Sequence, residues 1–318
     1  MSVIAQNFRL PVVPPFSLHY TVRVLQRLPA NRVDRWQNGA YSRLVPVTRR
    51  YELVTVTQSG DAERPVLEVS SRLAPYEIPQ VQQVLEQLLG TAIDLDPFYA
   101  LLRQNGPLQS LAEALRGLKP PRFLSLFEAL ANAICCQQVS LTVGILMVNR
   151  VAELAGCRKV IRNEKYFAFP SPDQIARLRP ERLRDLGLSS VKASALVSLS
   201  EEFASGRCRQ EQFEQLPTAS AVEQLQQLPG VGAWSARYAL LRGLGRLEVF
   251  PTGDVGAART LGELLGRSLM TPEEAVSFAS HWKEYAGLLY FHLLANRYLP
   301  EEQETLAMSR VPGQLPLM

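Results

Sequence analysis

Between Phe16 and about Leu73 the chain alternates apolar and polar residues in four runs rich in β-branched and aromatic side chains: FSLHYTVRVL, YSRLVPVT, YELVTVTQ and VLEVSSRL. A period of two sends successive side chains to opposite faces, so the pattern predicts a small antiparallel sheet with one face buried. Gln37-Asn38-Gly39 and Ser59-Gly60-Asp61 supply the turns. The period then changes. In IPQVQQVLEQLLGT the apolar residues Ile78, Val81, Val84, Leu85, Leu88 and Leu89 recur at helical spacing, as expected of a helix packed on that sheet. Pro120-Pro121 reads as a hinge, and from Phe123 onward helical runs alternate with short Pro, Gly or Ser loops, as in FPSPDQIARL and LPTASAVEQL. The expected fold is α+β: an N-terminal domain over residues 1–118 built on the antiparallel sheet, an all-α domain over residues 119–300, and a tail over residues 301–318 that lacks periodicity and is expected to be disordered.

Composition narrows the class without deciding the function. With 47% hydrophobic residues in 318, the chain is long enough for two domains with cores of their own. No apolar run reaches the roughly 18 residues of a membrane span, and the first residues lack the charged-then-apolar order of a signal peptide, so no membrane association and a cytoplasmic, bacterial-type location are expected. Cys135, Cys136, Cys157 and Cys208 form no CxxC pair and no cluster, and His19, His281 and His292 have no acidic neighbours at ligand spacing. No metal site built from side chains and no iron–sulfur cluster are predicted. The formal charge of +4 and a pI near 8.9 lean toward polyanionic partners, a balance that many other proteins share.

The most informative stretch runs from Val222 to Leu241. An amphipathic run, VEQLQQ, meets Leu228-Pro229-Gly230-Val231-Gly232, and a second helical run, AWSARYALL, begins at once. Two glycines one residue apart let the backbone turn tightly and approach a charged surface, while the next helix offers unpaired N–H groups and the positive end of its dipole. Such a loop suits a DNA phosphate and reads no base sequence; a bare GxG between helices is more often a plain turn with a glycine cap. Twenty-two residues beyond Gly232, the run Val249-Phe250-Pro251-Thr252-Gly253 ends on Asp254, a carboxylate at a helix start. Taken alone, Asp254 reads as an ordinary N-cap.

Together these features resemble the helix-hairpin-helix DNA glycosylase superfamily, whose signature is this hairpin followed at about this distance by an aspartate. The resemblance is greatest to the bacterial DNA-3-methyladenine glycosylase II branch and runs from the N-terminal sheet to about Pro300. FEALANAICCQQVS (Phe127 to Ser140) is similar to the branch's early helix and its turn facing the minor groove. FPSPDQIARLRPERLRDLGLSSVKASAL (Phe169 to Leu196) resembles its FPTP-type segment and the GL-x-x-x-KA junction, and HWKEYAGLLYFHLLA (His281 to Ala295) its late WKPW-type helix.

The resemblance implies an N-terminal sheet like that of the TATA-binding protein, a helical catalytic domain, and a monomer acting on double-stranded DNA that contains alkylated bases. It makes Asp254 the catalytic carboxylate, and Leu228, Gly230 and Gly232 the hairpin contacts to the DNA backbone. Trp234 and Tyr238, one helical turn apart, become the aromatic pocket, with two buried core aromatics as the bland alternative. Gln138 becomes the wedge that fills the vacated stack, or else a solvated glutamine. Bifunctional relatives carry lysine where this chain has Trp234, so no strand-nicking lyase chemistry is expected; Lys192 and Lys283 read as solvated or phosphate-facing residues. No cofactor is expected beyond a monovalent cation on hairpin carbonyls. Arg116, Lys119 and Arg122 are candidate phosphate contacts. Leu294 stands where the branch has a pocket tryptophan, which leaves the range of lesions open, and Ser235 replaces the usual threonine. The rival readings are a non-catalytic helix-hairpin-helix DNA-binding protein and a glycosylase for deaminated or oxidised purines.

Overall fold

The computed structural model describes residues 6–48 and 50–298; the expected disorder of the tail concerns residues outside this range. Five antiparallel strands, β1 (Gln6–Leu10), β2 (Arg35–Gln37), β3 (Ala40–Val47), β4 (Arg50–Ser59) and β5 (Val66–Ser71), form one sheet in the order β1-β5-β4-β3-β2. Tyr41, Val45, Val47, Val54, Val56, Leu67 and Val69 point to its buried face. Helices α1 (Leu18–Gln26) and α2 (Ile78–Leu89) pack against the sheet, and α3 (Asp96–Gln104) and α4 (Gly106–Ala114) pack on each other. The α2 helix spans the periodic run and ends on Gly90 in the left-handed conformation at φ 65°.

The first predicted strand is a helix instead. Leu18, Thr21, Val22 and Leu25 are all buried and stand at i, i+3, i+4 and i+7, so the run satisfies the helical period as well as the alternating one. The Ser17 hydroxyl accepts from the Tyr20 N–H at 3.3 Å and caps the first turn, and burial overrides the β-branched propensity. Two short strands, β1 and β2, carry too few alternating residues to stand out, and both lie at sheet edges.

Helices α5 (Leu126–Cys136), α6 (Leu141–Ala155), α7 (Pro172–Ala176), α8 (Pro180–Arg184), α9 (Ser190–Ala204), α10 (Gln210–Glu214), α11 (Thr218–Leu225), α12 (Ala233–Ala239), α13 (Val255–Leu264), α14 (Pro272–Ser280) and α15 (Ala286–Tyr298) build the second half, with a π-helical turn over Leu240–Leu244. One hairpin interrupts them, β6 (Arg158–Ile161) and β7 (Glu164–Phe167), joined through Arg162 and Asn163, both at positive φ as a two-residue turn of the primed type needs. It leans back on the sheet through ion pairs of Arg35 with Glu164 at 2.9 Å and of Lys159 with Glu52 at 2.8 Å.

Pro120-Pro121 is not a hinge. Lys119, Pro120 and Pro121 are buried, the Arg122 N–H donates to the Leu88 carbonyl and the Phe123 N–H to that of Arg242, and one hydrophobic core runs through both halves. One polar tie between the halves is wholly buried. Arg43 on β3 donates to Asp34 at 2.7 Å and to Glu128 on α5 at 2.5 Å, and the Tyr41 hydroxyl donates to Asp34 at 2.7 Å. The surrounding carboxylates hold the Arg43 guanidinium well above its usual range.

Candidate active site

The hairpin forms where expected. Helix α11 ends at Leu225, the chain turns through Leu228–Gly232, and α12 starts at Ala233. Gly230 sits at φ 73°, and a Cβ there would lie 2.6 Å from the Ala195 Cβ, so both backbone and packing demand glycine. Gly232 is different. Its φ of −93° suits any residue and an added Cβ would meet nothing within 4 Å, so the protein's own packing does not require glycine there. The open space lies on the outside of the hairpin, where a backbone approach by a large ligand would use it.

Asp254 is the N-cap of α13 and more besides. Its Oδ1 accepts from the Ala257 N–H at 2.9 Å, as a cap should, while its Oδ2 accepts from Trp234 Nε1 at 3.3 Å and from the Tyr290 hydroxyl at 2.7 Å. Trp234 and Asp254 face one cleft of about 590 Å3, together with Cys136, Gln137, Gln138, Val139, Gly232 and Ser235. The hairpin end, the early turn and the carboxylate therefore meet in one place, though they lie up to about a hundred residues apart in sequence.

Tyr238 stands elsewhere. Its ring stacks on Trp234, with centroids 4.9 Å apart and planes at 23°, but it is 2% exposed and absent from the cleft wall. The Arg27 guanidinium lies 5.4 Å from its centroid, and the buried Arg242 lies 4.8 Å from Phe123, 5.2 Å from Phe291 and 5.9 Å from Tyr238. Tyr238 thus backs Trp234 from the core, while Trp234 itself is half-buried on the cleft wall. Helix periodicity puts residues 234 and 238 on one face, but the start of α12 lies at the surface while its next turn runs into the core.

Gln138 is exposed on the tip after α5 with φ 52°, a left-handed conformation held by its neighbours. Two neighbours hold it, Gln137, which the sequence does not single out, and Lys192. Gln137 Nε2 donates to the Gly230 carbonyl at 2.9 Å and to the Ser235 hydroxyl at 2.7 Å, tying the tip to the hairpin. Lys192 Nζ donates to the carbonyls of Gln137 at 2.6 Å and Cys135 at 3.2 Å, which satisfies the end of α5. Lys192 is therefore half-buried and engaged with the protein's own carbonyls rather than simply solvated. Ser235 keeps the hydroxyl that a threonine would offer, and Gln137 uses it.

The three basic candidates at the domain junction are all engaged within the protein. Arg116 pairs with Glu63, Arg122 donates to the Gly243 carbonyl at 2.8 Å, and Lys119 is buried against the Ile93 carbonyl, where loss of hydration pushes its ammonium down to about 8. Lys283 is exposed near the Glu248–Thr252 stretch, away from the Asp254 cleft. Leu294 is buried in α15, one turn beyond Tyr290. Tyr290 itself carries no local sequence signal: it reads as one more apolar position of α15, and only the fold brings its hydroxyl to Asp254. Among the described residues, no helix is long and apolar enough to cross a membrane.

A glycine hairpin that leads into one cleft with an aspartate-capped helix is the arrangement of helix-hairpin-helix base-excision proteins. Residues 131–283, which include the hairpin and Asp254, match the family described as HhH-GPD superfamily base excision DNA repair protein. The DNA-3-methyladenine glycosylase of Bacillus subtilis is 25% identical over 260 residues, covering 81% of this chain and 86% of that protein. DNA-3-methyladenine glycosylase 2 of Escherichia coli is 30% identical over 195 residues, covering 59% of this chain and 64% of that one. The fold matches that of the 3-methyladenine DNA-glycosylase from Archaeoglobus fulgidus with a TM-score of 0.80 over 92% of this chain and 99% of the other, at 22% identity. An 8-oxoguanine glycosylase/lyase from Clostridium acetobutylicum shares the fold as well.

Proposed function

We propose that this chain is a monofunctional DNA glycosylase that swings alkylated purines, 3-methyladenine foremost, out of the duplex and hydrolyses their N-glycosidic bond. The observation that carries this reading is the Asp254 carboxylate, held by three donors at the wall of a cleft that it shares with the exposed face of Trp234. The names of the curated relatives supply the lesion class.

The chemistry follows from the bond being cut. Its cleavage passes through a sugar that carries developing positive charge, and a fixed carboxylate beside the anomeric carbon stabilises charge that exists only in the transition state. A base alkylated at N3 or N7 is already cationic and departs as a neutral molecule, so no strong general acid is required. Trp234 offers such a base an electron-rich face worth about 0.5–2 kcal/mol. A Schiff base needs an amine at the sugar, and the half-buried Lys192 beside the tip has its ammonium committed to two carbonyls.

On this reading Gln138 enters the stack as the base leaves, which offsets part of the few kcal/mol of unstacking, and the hairpin N–H groups around Gly232 hold a phosphate. The carbonyls of Leu228 and Gly230 each accept one hydrogen bond, from Val231 N–H and Gln137 Nε2, which leaves each a lone pair for a monovalent cation. The protein acts as a cytoplasmic monomer. Because phosphate contacts dominate such binding, affinity for any duplex is expected to fall steeply and linearly in log Kd against log salt, with little dependence on surrounding sequence; a flat salt titration would contradict a phosphate grip.

The test of the reaction is chromatography of the bases released from methylated duplex DNA, with the strand analysed on a denaturing gel. Free 3-methyladenine over strands that break only after alkaline treatment is the expected result. Release of no base by a protein that still binds an abasic duplex would reduce the chain to a DNA-binding relative, and nicking without alkali would overturn the monofunctional assignment.

A further inference from the structure

A carboxylate oxygen offers two lone-pair directions to donors. On Asp254 the Oδ2 atom has both taken, by Trp234 Nε1 and by the Tyr290 hydroxyl, whereas Oδ1 has one taken, by the Ala257 N–H. The two oxygens are therefore not equivalent, and Oδ1 alone keeps a direction open for a ligand. We infer that Tyr290 is a positioning residue for the reaction: its hydroxyl locks the rotation of the Asp254 carboxylate so that the free lone pair of Oδ1 meets the anomeric carbon. This deepens the proposed glycosylase reading and rests on it.

The cap alone cannot do this. A single bond from Ala257 N–H to Oδ1 leaves the carboxylate free to swing Oδ2 about that contact, and Trp234 Nε1 at 3.3 Å is a long partner on a half-exposed ring. Tyr290 supplies the short bond. Its ring is 1% exposed on α15 and meets Phe250 edge to face at 5.5 Å and Phe291 at 6.1 Å. Phe250 belongs to the same loop that ends on Asp254, so the aromatic contact fixes the loop while the hydroxyl fixes the charge it carries. The device spans two elements 36 residues apart, α15 and the start of α13.

Tyr290→Phe removes one oxygen and keeps the ring, which isolates the hydroxyl from the packing. With enzyme in excess over methylated duplex, the excision rate is expected to fall on the order of tenfold, as for loss of one hydrogen bond to a charged group. The concentration for half-maximal rate, the affinity for an abasic-site duplex and the thermal midpoint should stay near those of the wild type. The decisive arm is a double-mutant cycle: in the Asp254→Asn background, Tyr290→Phe should have no further effect, because its action passes through that carboxylate. An equal loss in both backgrounds, a loss shared by abasic-site binding, or a wild-type rate would each overturn the positioning role. Failure of the glycosylase reading itself would look different, with no base released by any of the four proteins.

Discussion

Asp254→Asn is expected to lose on the order of 10²-fold or more in the rate of base release under single-turnover conditions, and to bind an abasic-site duplex as tightly as the wild type does. The argument is one of charge at constant shape. Asparagine is isosteric, its amide oxygen can still accept from the Ala257 N–H, and asparagine caps helices as well as aspartate does, so the start of α13 should persist. What disappears, with the bond from Trp234 Nε1, is the negative charge that grows in value only as the sugar becomes cationic, and interactions of that kind change the rate more than the affinity. Rapid-mixing measurement of released base, alongside fluorescence anisotropy with a labelled abasic duplex, separates the two. A variant that loses binding as heavily as rate would trace the defect to the loop rather than to the charge, and one that keeps its rate would remove Asp254 from the chemistry.

Arg43→Met is expected to cost about 3–5 kcal/mol of unfolding free energy at neutral pH, the penalty for stranding buried charge when one partner of a buried pair is removed. The guanidinium is 1% exposed and serves two carboxylates, Asp34 at 2% and Glu128 at 7%, on opposite sides of the domain junction. Deprived of it, both must stay charged in the core without a counter-ion or take up protons. Burial already pushes the Glu128 carboxyl up against the pull of Arg43, so without the guanidinium it rises further, and the deficit is complete at high pH and shrinks on acidification as Glu128 takes up a proton. Urea titrations at pH 7.5 and pH 5 should show a midpoint gap that narrows on acidification. A gap that stays constant, or one below about 1 kcal/mol, would mean that the pair stabilises by packing alone.

Whatever chemistry lay close together in the chain was legible in the sequence. The hairpin and the aspartate were readable because a glycine turn between two amphipathic runs and a carboxylate at a helix start are local patterns, set by backbone conformation. Most of the sheet was readable from its period of two. The FSLHYTVRVL run misleads because its apolar set fits both periods, and its packing against α15, β2 and α2 decides between them. Tyr238 misleads for a related reason: periodicity says which face a residue shares, not whether that face is at the surface. Lys119 and Lys192 read as surface cations because a lysine's ordinary place is in water; each is instead drawn to carbonyls that the fold leaves unsatisfied. Tyr290 had no signal at all, since its role begins with a contact that exists only after α15 has packed.

The bond from Gln137 to the Gly230 carbonyl joins the tip that would enter the duplex to the loop that would hold its backbone, with 93 residues of chain between them. Together with Lys192, which anchors the same tip, it turns two separate loops into a single calliper. On the proposed reading this join would set the interval from gripped phosphate to inserted side chain, and the DNA would adjust to the protein. On that reading, base pairs weakened by damage would comply at least expense, and this one join would help tell faulty duplex from sound before any base reaches the cleft.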